Sequence, residues 1–221
     1  MKKLIALSVV CVLALASAFS QTILTASEFF KSVSEYYGTI SDYEADVSIS
    51  VGNADPMTGK VSFKRPEMLR IDFSRPAEQT ILFNGETLTI YLPGSSAILQ
   101  QTVTTASKGS MTPDGLSLLR RYYSVAYETG QDAVPLDEGS PEMVVNLILH
   151  RRTASEAFST IKLSIDPSSK LIRRVIAKTP SNVVYTFYYS GYRINTGLSD
   201  QRFIYDPPSS ANNYNNFLFS E

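Results

Sequence analysis

The sequence has one cysteine, one histidine and no tryptophan in 221 residues. Cys11 lies in an apolar run near the start of the chain, and the residue before it is Val10. A cysteine that receives a lipid normally follows a small residue, so we do not expect Cys11 to be an anchor. The rest of the chain has no thiol, which excludes thiol catalysis, thiolate metal sites and disulfide bonds from it.

The single histidine, His150, precedes Arg151 and Arg152 at the end of a predicted strand. One imidazole beside two cations supplies neither the positioned base of a hydrolytic triad nor a cluster of metal ligands. Carboxylate pairs such as Asp42 and Glu44 are typical of strand edges, although they leave a glycosidase mechanism open. We expect a protein without catalytic residues, metal or cofactor, in which His150 is a solvated strand end.

Charge is also scarce. Charged residues make up 19% of the chain, the formal net charge is −1 and no basic block occurs, which argues against a nucleic-acid partner. The chain nevertheless has 13 tyrosines and 11 phenylalanines. This apolar surface has to be placed in a core, in a ligand cavity or against a partner.

The start of the chain has the order of a secretory signal, and its apolar run is too short to span a membrane. We expect residues 1–20 to be removed by cleavage near Ala18 or Ser20, and residues 21–221 to form one exported domain. The elements of the signal are a positive start, an apolar core and a small-residue site: Lys2, Lys3, Leu4–Leu15 and Ala16-Ser17-Ala18.

Two segments have helical periodicity. Thr25 and Glu28 have the spacing of a capping box, and Gly38 is placed to end the helix that follows. Thr112-Pro113 is a second helix start. We leave open whether this second helix is a plain connection or a movable cover over a cavity. The predicted apolar stripes are Phe29, Val33, Tyr36 and Ile40 in the first helix, and Leu116, Leu119, Tyr123 and Tyr127 in the second.

The remaining chain alternates in the manner of short strands separated by turns, which predicts one antiparallel sheet that curls. Several strands are apolar on both faces, so the second face needs a cover, and the two helices are the predicted elements available. A final Phe217-Leu218-Phe219 run is expected to pair as an extra strand or to fray. The strands predicted after the second helix are Met143–His150, Ser159–Ile165, Leu171–Lys178, Val183–Tyr189 and Arg202–Tyr205.

Three segments, in this order, resemble the LolA family of periplasmic lipoprotein carriers. They are Gly59–Phe73 with its Lys-Arg-Pro, the hairpin Asn84–Pro93, and Asn195–Pro208 with its Pro-Pro end. The family's usual tryptophan in the hairpin is replaced here by Thr89. The resemblance implies an α+β, mainly β fold: an incomplete, strongly curved antiparallel β-barrel (a half-barrel) with an N-terminal helix and a short mid-chain lid helix.

The resemblance also implies a function and partners. The protein would be a monomeric periplasmic carrier that takes the acyl chains of lipoproteins from an inner-membrane ABC-type release complex to an outer-membrane receptor. The family's arginine that hydrogen-bonds toward the lid corresponds to Arg65. The alternative is a lipid- or lipoprotein-sensing regulatory module on the same half-barrel.

If the cavity exists, the side chains on one face of the central strands, at alternate positions along each strand, should line it. Flexible and aromatic linings suit loosely shaped acyl chains. The expected lid residues are Leu116, Leu119 and Tyr123. The expected lining is Val61, Phe63, Leu69, Ile71, Phe73, Leu88 and Ile90.

Overall fold

The computed structural model of the chain describes residues 24–102 and 115–217. The expected leader, the Thr112-Pro113 helix start and Leu218-Phe219 lie outside these ranges. The described residues form two α-helices and a 13-stranded, mostly antiparallel, open and curved sheet, which confirms the expected fold class. Within the same residues, neither helix has the length and apolarity that a membrane crossing requires.

Helix α1 spans Ala26–Thr39 and begins with the predicted capping box. The Glu28 backbone N–H donates to the Thr25 hydroxyl at 3.2 Å, and the Thr25 backbone N–H donates to the Glu28 carboxylate at 3.3 Å. These reciprocal bonds satisfy donors that a first helical turn otherwise leaves free. The helix packs inward through a buried face that contains Ala26, Phe29, Phe30, Val33 and Ser34.

The sheet order is β13-β6-β5-β4-β3-β2-β1-β12-β11-β10-β9-β7, and β8 pairs with β9. The pairs are antiparallel except β13 with β6, which is parallel. The tail therefore adds a strand through Asn212–Asn215, ahead of the predicted Phe217 run. The bounds are β1 Asp42–Val51, β2 Met57–Lys64, β3 Met68–Arg75, β4 Thr80–Asn84, β5 Thr87–Leu92, β6 Ala97–Thr102, β7 Tyr123–Tyr127, β8 Val134–Pro135, β9 Met143–Arg151, β10 Thr160–Ile165, β11 Ile172–Lys178, β12 Val184–Ile194 and β13 Asn212–Asn215.

A β-bulge in the middle of the sheet changes which side chains face the helices. On β12, Gly191 and Tyr192 lie opposite the single residue Ala45 of β1. Gly191 has a φ of +59°, the left-handed conformation that such a bulge requires and that glycine adopts without strain. Because the bulge inserts one residue into the alternation, Tyr189 and Tyr192 point to the same side of the sheet.

The mid-chain helix is shorter than predicted. Helix α2 covers Gly115–Tyr122, and Tyr123–Tyr127 continues as strand β7, paired with β9. The prediction of Tyr123 as a residue of the lid helix is therefore wrong. The backbone of β7 is satisfied along β9, and tyrosine and valine suit a pleated, half-buried strand better than a helix.

The predicted strand Arg202–Tyr205 is also wrong, because Asp200–Phe203 forms a 3₁₀ turn. The Ser199 hydroxyl accepts a hydrogen bond from the Gln201 backbone N–H at 3.3 Å. This local bond gives the backbone an alternative to a strand ladder.

The segment 195–208, called here the C-terminal strap, crosses the outer face of the sheet. Asp42 accepts hydrogen bonds from the backbone N–H groups of Thr196 and Gly197 at 2.9 Å and 3.1 Å. Arg70 donates to the backbone carbonyls of Arg202 and Ile204, both at 3.1 Å. The expectation that the helices provide the missing cover is corrected: the strap covers part of the outer face, whereas α1 and α2 lie on the concave face.

Candidate functional site

A cavity of about 790 Å³ lies between the two helices and the concave face of the sheet. The end of α1, the length of α2 and strands from both halves of the sheet contribute to its wall. Among the described lining residues nearly all are aliphatic or aromatic, and Glu156 is the one charged side chain. The volume lies in the range of sites that hold small organic ligands, about 300–1,000 Å³.

Helix α2 forms one side of the cavity and is weakly held there. Leu116 and Leu119 pack against the main core and also line the cavity, as do Leu118 and Tyr122. None of the side chains of α2 is fully buried. The Arg120 Nε atom is buried and has no hydrogen-bond partner among the described residues, which costs free energy while the helix stays in place. Segments with few buried contacts open at low free-energy cost. A movable lid at α2 stays a prediction.

Four tyrosines gather at the cavity wall where α1 meets β1 and β12. The ring centroids of Tyr43 and Tyr192 are 5.7 Å apart, and those of Tyr189 and Tyr192 are 6.3 Å apart. Tyr37 belongs to the same group, because it and Tyr192 both bond the backbone of Ile172. The Tyr37 hydroxyl accepts from the Ile172 N–H at 3.0 Å, and the Tyr192 hydroxyl donates to the Ile172 carbonyl. Burial raises the pKa of all four hydroxyls, so they remain neutral at physiological pH.

Arg65 contacts the C-terminal end of α1. Its Nε donates to the Ile40 carbonyl at 2.7 Å, and its Nη2 donates to the carbonyls of Tyr37 and Gly38, the former at 3.0 Å. The last carbonyls of a helix lack hydrogen-bond partners within the helix and carry partial negative charge. A guanidinium there supplies hydrogen-bond donors to these carbonyls and a positive charge beside them. Among the described residues Arg65 thus holds α1 rather than α2, and a latch toward the lid stays a prediction.

The family described as "Outer membrane lipoprotein carrier protein LolA" matches residues 46–206. The chain belongs to the LolA family. The matched range runs from within β1 to within the C-terminal strap and includes α2. It therefore contains most of the elements that form the cavity.

The chain is also similar to known proteins in sequence or in fold. An outer-membrane lipoprotein carrier protein of Pseudomonas aeruginosa is 22% identical over 153 residues, which is 68% of this chain and 67% of the relative. An uncharacterized conserved protein from Thermus thermophilus has a TM-score of 0.57 at 14% identity, covering 86% of this chain and 98% of its own. A structure of the MucA/MucB complex of Pseudomonas aeruginosa gives a TM-score of 0.52 at 13% identity, covering 82% and 61%. The two structural likenesses show a shared fold.

The expected cavity residues divide into two groups in this LolA family member. Phe63 and Leu69 line the cavity, as do Leu116, Leu119 and Tyr123. The other expected lining residues lie outside the cavity wall: Val61, Ile71 and Phe73 pack in a second core cluster between β1, β2 and β3, and Leu88 and Ile90 are half-buried on β5.

The sequence reasoning missed the part of the cavity wall that β1 and β10–β12 provide. Tyr43, Phe187, Tyr189 and Tyr192 line it from the central strands, and Phe158 lines it from the loop before β10. The sequence did contain a signal for this wall, because β12 has aromatic residues at both odd and even positions. That signal did not reveal which of the aromatic residues share a face.

The residues considered for chemistry lie apart from the cavity. His150 is exposed near the end of β9, which confirms the expected solvated position. Asp42 and Glu44 belong to the outer face, where Asp42 holds the strap and Glu44 pairs with Arg193. In the part of the chain that the structure describes, no three potential metal ligands lie close together.

Proposed function

We propose that this protein is an exported carrier that binds the acyl chains of lipoproteins in its cavity and shuttles them to the outer membrane. It acts as a monomer in the periplasm, without catalysis or cofactor, after residues 1–20 are removed. It receives cargo from an inner-membrane ABC-type release complex and gives it to an outer-membrane acceptor. The observation that carries the proposal is the apolar cavity of about 790 Å³ beside a weakly held helix.

The cavity can supply the binding energy that such a carrier needs. Each methylene moved from water into an apolar environment contributes about 0.8 kcal/mol. Ten buried methylenes contribute about 8 kcal/mol, which corresponds to micromolar binding before ordering costs are subtracted. Affinity of this order permits both capture and release.

The weakly held lid gives cargo a way in and out. Cargo that displaces Leu118 and Tyr122 from the cavity favours a state in which α2 has moved. The buried, unpaired Arg120 Nε gains access to water in that state, which reduces the cost of opening. The balance between the two states then depends on whether acyl chains occupy the cavity.

The proposal is tested by measuring what the protein binds and releases. Protein purified from the periplasmic fraction of its natural host should carry acyl lipid detectable by mass spectrometry. Purified protein added to spheroplasts should bring lipoproteins into the supernatant. If the purified protein contains no bound lipid and releases no lipoprotein from spheroplasts, the carrier function is overturned.

Substitutions at the lid separate cavity binding from nonspecific adsorption. Leu116→Asp and Leu119→Asp place a charge against the apolar cavity and should weaken binding of a fluorescent acyl probe at least tenfold. Ile204→Asp is the matched control, because Ile204 is 59% exposed in the strap on the outer face. If all three variants bind the probe equally well, the acyl chains do not enter this cavity.

The alternative function is a lipid- or lipoprotein-sensing regulatory module. The observation that favours it is the fold shared with MucB, whose solved complex contains MucA. A sensor of this kind retains its lipid and changes its affinity for a protein partner, whereas a carrier transfers lipid to an acceptor membrane. Transfer of labelled lipoprotein from the loaded protein to acceptor vesicles distinguishes the two.

A further inference from the structure

The four tyrosines where α1 meets β1 and β12 differ in how their hydroxyls are satisfied. Tyr37 accepts a hydrogen bond from the Ile172 backbone N–H at 3.0 Å, and Tyr192 donates to the Ile172 carbonyl at 2.8 Å. Both hydroxyls of this first pair therefore fasten the end of α1 and strand β12 to β11. They have a structural role that needs no ligand.

The other pair, Tyr43 and Tyr189, has no hydrogen-bond partner for either hydroxyl within residues 24–102 and 115–217. Neither hydroxyl oxygen is fully buried. Among these residues, Arg120 Nε is the one side-chain nitrogen or oxygen that is both fully buried and without a hydrogen-bond partner. Both side chains line the cavity. Two hydroxyl donors thus border a mostly apolar space, where leaving a donor unpaired is costly.

The bulge on β12 places these donors near each other. The rings of Tyr43 and Tyr189 both lie close to the Tyr192 ring, with centroids 5.7 Å and 6.3 Å from it. Without the extra residue Gly191, the alternation of β12 would direct Tyr189 and Tyr192 to opposite faces. The fold therefore builds a local polar spot into the apolar wall.

We infer that Tyr43 and Tyr189 donate hydrogen bonds to the ester carbonyls of bound acyl chains, so that the cavity selects ester-linked chains over ether-linked ones. The inference rests on the proposed acyl-binding function and names the chemical class of its ligand. An acyl chain has its polar atoms at the carbonyl end, and a neutral carbonyl is the acceptor that matches a neutral hydroxyl.

A carboxylate is a poorer match for the same spot. The described lining contains no lysine or arginine, and its one charged residue, Glu156, is acidic. Burying a free fatty acid anion there would leave its charge unpaired. Burial also raises the pKa of Tyr43 and Tyr189, so both hydroxyls stay protonated and able to donate across the neutral range.

The test compares a glycerol diester with its diether analogue of the same chain length, each displacing a fluorescent acyl probe. The wild-type protein should bind the diester more tightly by about fivefold for each hydroxyl engaged. The Tyr43→Phe/Tyr189→Phe variant should lose this preference while its affinity for the diether changes by less than about twofold. Tyr214→Phe is the control, since Tyr214 is 53% exposed on β13 and does not line the cavity.

The outcomes separate this inference from the function on which it rests. If the wild-type protein binds diester and diether equally, the inference fails and acyl binding stands. If the preference persists in the double phenylalanine variant, other groups recognise the ester and the assignment to Tyr43 and Tyr189 is overturned. If neither lipid displaces the probe, the acyl-binding function itself is overturned. Circular dichroism confirms that each variant is folded.

Discussion

Removing the Arg65 side chain should destabilise the protein at one definable point, the junction between α1 and the sheet. Arg65→Leu deletes the donors that the guanidinium supplies to the carbonyls of Tyr37, Gly38 and Ile40. It also removes a cation from the negative end of the helix macrodipole. The substitution keeps an aliphatic side chain at this position, so the principal change is electrostatic.

The magnitude follows from these contacts. A hydrogen bond to a charged group contributes about 1.5–3 kcal/mol, and a cation near a helix C-terminus contributes about 0.3–1 kcal/mol. Water replaces part of the loss, because the Gly38 contact is exposed. We therefore expect the free energy of unfolding to fall by about 2–3 kcal/mol, and Tm by about 5–10 °C for a domain of this size.

The assay is urea unfolding followed by circular dichroism, with Arg75→Leu as the matched control. Arg75 also precedes a proline, at Pro76, but its side chain is exposed and has no hydrogen bond among the described residues. Arg65→Leu should lower the midpoint without changing the slope m, whereas Arg75→Leu should change neither appreciably. Equal effects of the two substitutions would refute the reasoning. Because Tyr37 and Ile40 line the cavity, Arg65→Leu should also alter acyl-probe affinity.

Two further predictions concern stability. A Cβ added at Gly59 would overlap the Asp72 carbonyl and approach the Phe73 Cα to 2.8 Å, so Gly59→Ala should cost about 2–3 kcal/mol in urea unfolding. Gly38→Ala meets nothing within 4 Å and should instead stabilise α1 by up to about 1 kcal/mol; two changes of the same sign would contradict this account. Burial raises the pKa of Tyr43 and Tyr189, so the folded protein keeps protons that the unfolded chain loses above about pH 10. The free energy of unfolding should hold below that pH and fall as pH rises beyond it, and the Tyr43→Phe/Tyr189→Phe variant should show a shallower fall.

Local patterns were sufficient for the elements whose contacts are local. The capping box of Thr25 and Glu28 correctly predicted where α1 begins, because both partners lie within one helical turn. Alternation and turn residues located most strands, since the pleat and the turn conformations depend on neighbouring residues. The same patterns failed at α2, where the apolar stripe continued through Tyr123–Tyr127 while the backbone changed from helix to strand.

The sequence by itself determined that this is a mainly β chain with a capped N-terminal helix, a mid-chain helix and the ordered motifs of the LolA family. The tertiary structure decided which side chains meet. Tyr43 and Tyr192 are far apart in the chain and come together because β1 pairs with β12 across a bulge at Gly191. The strap lies on the outer face because buried Asp42 binds the backbone of Thr196 and Gly197. Periodicity reports the face that a residue occupies within its own strand, whereas the composition of a cavity wall depends on strand order, register and bulges, which are set by contacts distant in sequence.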